Sequence, residues 1–359
     1  MRRFWKLMTI VLNVVPNPAA RLIGFFRREP TMETSSYQTT EGAFVPMRIH
    51  HPVGEGPAPA LIIFPGATPA AEEHEAVNVL ARALATAGIR TFLPRIPDLK
   101  KVLVREGSVE HMINVYLSVE AREDIDSARI IGAGVSFGGS LFIKACLDDR
   151  LKGKPAAIFS YGSYFDFGQA LRFSMTGVCS DGETEYHLEP HDWGRIAFFH
   201  NYIEHLEEPC NQENVHQYLL DQVANDGQNS ETLYGSFPQE DRTIIDNIVA
   251  DQSEEALAMA ENLLLKIEPM VAPLSPSNFL EEIDFPVYLM HGTNDNMIPF
   301  TETVRFTKAL TKSGREVRSF VSNLYSHSEI EGHGKGVIGF VLELWRIGRF
   351  LGSVLKPVL

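Results

Sequence analysis

Ser136 stands in Gly134-Val135-Ser136-Phe137-Gly138-Gly139. The apolar run 128–133 before it reads as a buried strand, and 140–146 after it reads as a helix. A serine between small residues at a sharp strand-to-helix turn is a nucleophile elbow. The turn lifts the hydroxyl above the sheet edge and points the helix N-terminus at it, where developing negative charge is stabilised. Side chains at 134 and 138 would collide with the neighbouring strand and helix, so glycines are expected there. Gly132-Ala133-Gly134 could instead open a dinucleotide loop, but Phe137 stands where that motif needs a small residue. No Lys-Ser/Thr pair follows to form a phosphate loop.

A serine hydroxyl is a weak nucleophile at neutral pH and needs a base, which in turn needs a group to fix its tautomer. The acid is expected beyond a later strand. Residues 286–291 form that strand, Gly292-Thr293-Asn294-Asp295 begins the loop after it, and Asp295 is the acid chosen. Pro299 and Thr301 suffice to start the next helix, so Asp295 is not needed as its cap. Asp166, after the preceding strand, is the reserve. The base is expected after the last strand, where the loop Ser322–Glu329 carries His327. His333 competes, but Glu331-Gly332-His333-Gly334 more naturally opens the final helix. An oxyanion needs two backbone N–H donors. Phe137 supplies one, and Pro65-Gly66-Ala67 supplies the other from Ala67, with Gly66 allowing close approach.

His74-Glu75-Ala76-Val77-Asn78 imitates a zinc-protease motif but has Asn at the second ligand position. No metal and no cofactor are expected.

These groups need a scaffold. Short apolar runs at 60–64, 89–93, 128–133, 156–161, 286–291 and 316–321 alternate with helical patterns at 72–87, 108–122, 140–146, 301–313 and 335–355. Residues 35–40 and Phe44–His51 read as two further strands. The alternation predicts an α/β fold with a mostly parallel central sheet flanked by helices. The rhythm breaks between 168 and 283, where helical signals dominate. The chain therefore divides into a core, 31–167 and 284–359, and a helical cap inserted at 168–283 that covers Ser136. Residues 1–30 stand apart from both.

With 359 residues and 44% apolar composition, including 22 Phe, the chain can build a sizeable core. Its net charge of −14 argues against a nucleic-acid partner. Residues 1–30 carry six basic residues against Glu29, so this acidic chain has a basic start. Arg2, Lys6, Thr9 and Asn13 line one stripe of a helix whose other faces are apolar. That pattern fits a helix lying on a membrane surface or one packed on the protein's own body. Lys6 and the lack of an A-x-A site disfavour a secretory signal. Three cysteines without C-x-x-C spacing support neither a disulfide framework nor a zinc cluster, and a cytoplasmic location fits them.

The elbow, Pro65-Gly66, His291-Gly292-Thr293-Asn294-Asp295 and His327 stand in an order that resembles the α/β-hydrolase superfamily over roughly 35–167 and 284–355. A lipase-type His-Gly-Gly-Gly segment is lacking, which speaks against the hormone-sensitive-lipase-like branch. The resemblance implies a serine hydrolase cleaving a carboxylic ester of a small molecule, lipid-like if the N-terminal helix touches a bilayer. The same triad would serve a peptidase, thioesterase or acyltransferase, and the fold could persist in a non-catalytic membrane-associated binding module.

Overall fold

The computed structural model describes residues 10, 29–249, 253–326 and 337–359. In chain order the core begins with β1 (Thr31–Gln38), β2 (Phe44–His51), β3 (Ala58–Phe64), α1 (Glu75–Thr86), β4 (Arg90–Pro94), α2 (Pro97–Lys100) and α3 (Gly107–Glu120). It continues with β5 (Ile125–Val135), α4 (Phe137–Ala145) and β6 (Ala157–Tyr161). A long excursion follows: α5 (Phe167–Thr176), β7 (Val178–Ser180), β8 (Glu185–His187), α6 (Asp192–Tyr202), α7 (Gln212–Asn225), α8 (Ser230–Ser236), α9 (Gln239–Val249) and α10 (Glu254–Val271). The chain returns through β9 (Val287–Asn294), α11 (Thr301–Lys312), β10 (Val317–Ser326) and α12 (Val337–Val354).

Among the described residues the main sheet has eight strands in the order β1-β2-β4-β3-β5-β6-β9-β10. β1, β2 and β4 are joined by antiparallel pairings, and every pairing from β4 to β10 is parallel. β3 is buried at every position, as an apolar central strand covered on both faces should be. Beneath the elbow, Phe64 of β3 stacks on Phe142 of α4 with ring centroids 4.5 Å apart. The crossover from β4 past β3 to β5 places the carboxyl ends of β3, β5 and β6 side by side. That reversal of strand order is where open α/β sheets hold their ligands.

Several expected boundaries move. The helix after the elbow begins at Phe137 rather than 140, because the serine itself makes the turn. The segment expected to be helical contains an antiparallel hairpin, β7–β8. Its turn is closed by Asp181 Oδ1, which accepts from the N–H groups of Glu183 and Thr184, both at 2.9 Å. β10 extends to Ser326, through residues read from sequence as loop. α11 begins at Thr301 without a side-chain cap, and Glu302 N–H donates to Pro299 O at 3.0 Å. Of the basic N-terminal segment only Ile10 is described before Glu29. It is 6% exposed, in one apolar cluster with Leu84, Leu355 and Val358, which favours packing on the protein's own body at that residue.

Candidate active site

Ser136 has φ 52° and ψ −131° between β5 and α4. A positive φ on a residue with a Cβ costs on the order of 1–3 kcal/mol and persists only where the surroundings impose it. Here the end of β6 imposes it. Ser136 N–H donates to Tyr161 O at 2.7 Å, and Ser163 Oγ donates to Ser136 O at 2.7 Å. Ser160 Oγ donates to Ser163 Oγ at 2.6 Å, and Ser140 Oγ holds Tyr164 O at 2.5 Å. Backbone must also pass close by. A Cβ on Gly138 would meet Pro65 O at 2.1 Å, so the loop after β3 lies directly on the elbow helix.

That loop carries the second oxyanion donor read from sequence. A Cβ on Gly66 would stand 2.9 Å from Ser136 Cβ and 3.5 Å from Ser136 Oγ. Ala67 and Phe137 border one small cavity together. Among the described residues, neither of their N–H groups donates to another backbone carbonyl. The loop is anchored on its far side, where Thr68 N–H donates to Leu99 O at 2.9 Å and Lys100 Nζ to Pro69 O at 3.0 Å. The Phe137 ring is held by Tyr164 and Phe167, with centroids 5.4 and 5.3 Å away.

Asp295 follows β9 and is 1% exposed. Its Oδ1 accepts from Met297 N–H at 2.9 Å and Ile298 N–H at 3.0 Å, so the carboxylate organises its own loop. Oδ2 lies 3.3 Å from His291 Nε2. His291 is fully buried: Thr303 Oγ1 lies 2.8 Å from its Nδ1, and Ile298 O lies 2.9 Å from its Nε2. With Nε2 protonated, that N–H donates to Ile298 O, and the imidazole braces the Asp295 loop. Nothing in the spacing of His291 distinguishes it in sequence from an ordinary core histidine.

The reserve acid has another task. Asp166 is the N-cap of α5, accepting from Gln169 N–H at 3.0 Å. Both candidate bases, His327 and His333, lie outside the described residues. The strand leading to them is described. Ser326, the residue before His327, pairs in register with Asn294, the residue before Asp295. Asn78, at the false zinc position, donates its amide to Glu72 O and His74 O. Among the described residues no cluster of three or more His, Cys, Asp or Glu is arranged to hold a metal, and no helix is long and apolar enough to cross a membrane.

The cavity beside Ala67 and Phe137 measures about 30 Å³. Val102 and Val104 border it from the stretch after α2, Ala170 and Ser174 from α5, and Trp193 and Phe198 from α6. Met297 and Ile298, held by Asp295, close another side. These residues come from four separate segments, whose meeting has no linear signature.

No model of a known protein family matches the chain, and no curated protein matches it. Solved structures do. An acylaminoacyl peptidase from Pyrococcus horikoshii aligns with TM-score 0.52 and 13% identity, over 95% of this chain and 43% of that one. Dipeptidyl peptidase 4 from Porphyromonas gingivalis aligns with TM-score 0.50 and 12% identity, over 95% and 38%. A puromycin hydrolase aligns with TM-score 0.52 and 15% identity, over 92% and 39%. The chain thus spans about two fifths of the length of these structures. Likeness at such identities speaks to fold alone, and it agrees with the strand order and the strand-to-helix turn at Ser136: this chain has the α/β-hydrolase fold.

Proposed function

We propose that the protein is a serine hydrolase that cleaves a carboxylic ester through an acyl-enzyme on Ser136. The observation that carries this reading is the strained backbone of Ser136, held at the end of β5 with Gly66 against its side chain. Strain of this kind, held by three surrounding serines and the end of a neighbouring strand, is spent on presenting one hydroxyl.

In the reaction, Ser136 Oγ attacks the ester carbonyl carbon while His327 takes its proton. The carbonyl oxygen becomes an oxyanion that receives the N–H groups of Phe137 and Ala67. Asp295 holds the imidazole and stabilises its cationic form. The carbonyl re-forms, the C–O bond to the leaving alcohol breaks, and His327 returns the proton to that oxygen. Water then attacks the acyl-enzyme by the same route and releases the acid and free Ser136. The register of Ser326 with Asn294 supports His327 over His333, because it brings the chain positions preceding base and acid to the same level. The helical segment 168–283 acts as a cap, since α5 and α6 wall the cavity next to the oxyanion donors.

Peptide-bond hydrolysis is the second reading, favoured by two of the structural neighbours, which are peptidases. The cavity supports the ester reading: no charged side chain borders it, and so none there could hold a peptide's terminal ammonium or carboxylate. Turnover of p-nitrophenyl esters by wild type and Ser136→Ala tests the proposal. The variant should lose essentially all turnover. Equal rates would refute it.

A further inference from the structure

We propose that the site takes esters whose acyl group is short, uncharged and apolar, and that Val102 sets the limit on its length. The inference rests on the serine-hydrolase reading. The cavity beside the oxyanion donors measures about 30 Å³, roughly two to three times the 10–15 Å³ that a single water needs. Its walls are apolar apart from Ser174 and Asn201. Ser174 Oγ donates to Leu171 O at 2.7 Å, and Asn201 Oδ1 accepts from Val104 N–H at 3.3 Å and from Arg105 Nη1. A charged acyl group would meet no charged side chain along these walls to replace its hydration. The enclosure suits the acyl side of the ester. The acyl group stays on the serine through both half-reactions, whereas the alcohol must depart and water must enter.

Val102 is the residue that keeps this pocket short. It is β-branched yet has φ +60°, a genuine outlier for its type. It is 2% exposed and borders the cavity. The stretch that carries it is fastened on both sides. Toward α2, Val102 N–H donates to Leu99 O at 3.1 Å and Leu103 N–H to Asp98 O at 2.9 Å. Toward α6, His200 Nε2 donates to Lys101 O at 2.9 Å, and Asn201 Oδ1 takes the Val104 N–H. Tyr202 OH also donates to Val104 O at 3.4 Å. So fastened, the stretch has little freedom to recede from a longer chain, and the Val102 side chain remains as a wall. Trp193 of α6 supplies a second wall from another element. Glycine adopts a positive φ without strain, so Val102→Gly removes the wall while easing the backbone.

The test compares kcat/KM for p-nitrophenyl acetate, butyrate and octanoate in wild type, Val102→Gly and Trp193→Ala. Wild type should prefer acetate or butyrate, and each variant should raise the octanoate-to-acetate ratio at least tenfold. A wild-type preference for octanoate, or a ratio unmoved in both variants, would overturn the proposal. A parallel series of acetate esters with lengthening alcohols should show no such change. If the variants shift that series instead, the pocket holds the alcohol and the acyl assignment falls. Fluorophosphonate labelling of Ser136 in wild type separates the two levels of argument. Labelling with an unmoved ratio defeats only the Val102 inference, whereas no labelling at Ser136 defeats the hydrolase reading and this inference with it.

Discussion

Ser326 stands opposite Asn294 in the parallel pairing of β10 with β9. The pairing is regular up to Ser322 opposite Gly292, then shifts, so that β10 spends two more residues than β9 to reach the same level. Bulges of this kind re-aim a chain next to active sites. The residues that follow the pair are His327 and Asp295. His327→Ala should therefore lower kcat/KM by a factor of about 10³ or more, while His333→Ala should stay within a few-fold of wild type. Equal losses would mean that the register does not choose between them.

Gly66→Ala places a methyl group 2.9 Å from Ser136 Cβ. The loop must then retreat from the elbow and carry Ala67 with it. Losing one oxyanion donor costs roughly 10²–10³ in kcat, and a loss of that order is expected with a largely unchanged melting curve. Unaltered kcat would show that Ala67 is not a donor.

Asp166 and Asp295 should separate cleanly. Asp166 caps α5, so Asp166→Ala should cost about 1 kcal/mol of stability and leave ester turnover near wild type. Asp295→Asn should instead reduce kcat by about 10⁴. A large loss from the Asp166 variant would restore it as the acid.

Glu302 supplies a test in pH. Its Oε2 accepts from Phe165 N–H at 2.9 Å and Asp166 N–H at 2.7 Å, and Oε1 meets Arg305 Nη1 at 2.8 Å. It thereby ties the start of the inserted segment to α11. Burial pushes its carboxyl above the ordinary value of 4.5, against the opposing pull of Arg305 and the two N–H donors. A raised acid binds its proton more tightly in the folded state. Its contribution is therefore complete below pH 4.5 and fades as pH rises through the folded value. Glu302→Gln removes this dependence. The variant's melting temperature should gain on wild type as pH rises from 4.5 toward neutrality. A gain by wild type over that range would reverse the assignment.

Ile10 belongs to the cluster of Leu84, Leu355 and Val358. Ile10→Asp would bury a charge there and should lower the melting temperature by several degrees, corresponding to a loss of 1–3 kcal/mol or more (order of magnitude). An unchanged melt, with the protein partitioning to vesicles through residues 1–28, would favour the membrane-surface reading.

The parts legible in the linear chain are those whose cause is local. The elbow glycines, the buried apolar strands and the break in rhythm after β6 follow from steric limits and periodicity among neighbours in sequence. They were enough to choose Ser136 and Asp295 and to expect an α/β-hydrolase. The hairpin β7–β8 was missed because its strands are only three residues each, too short for a pattern to stand out. What only the tertiary structure decided are relationships between distant segments. Gly66 reaches Ser136 because the loop after β3 crosses the elbow helix. His291 braces Asp295 because the loop folds back on its own strand. Val102 and Trp193 border one cavity although 91 positions separate them. Such meetings depend on how layers pack, and packing sums many weak contacts spread along the chain. Sequence therefore names the proposed nucleophile, and the fold decides the space in front of it.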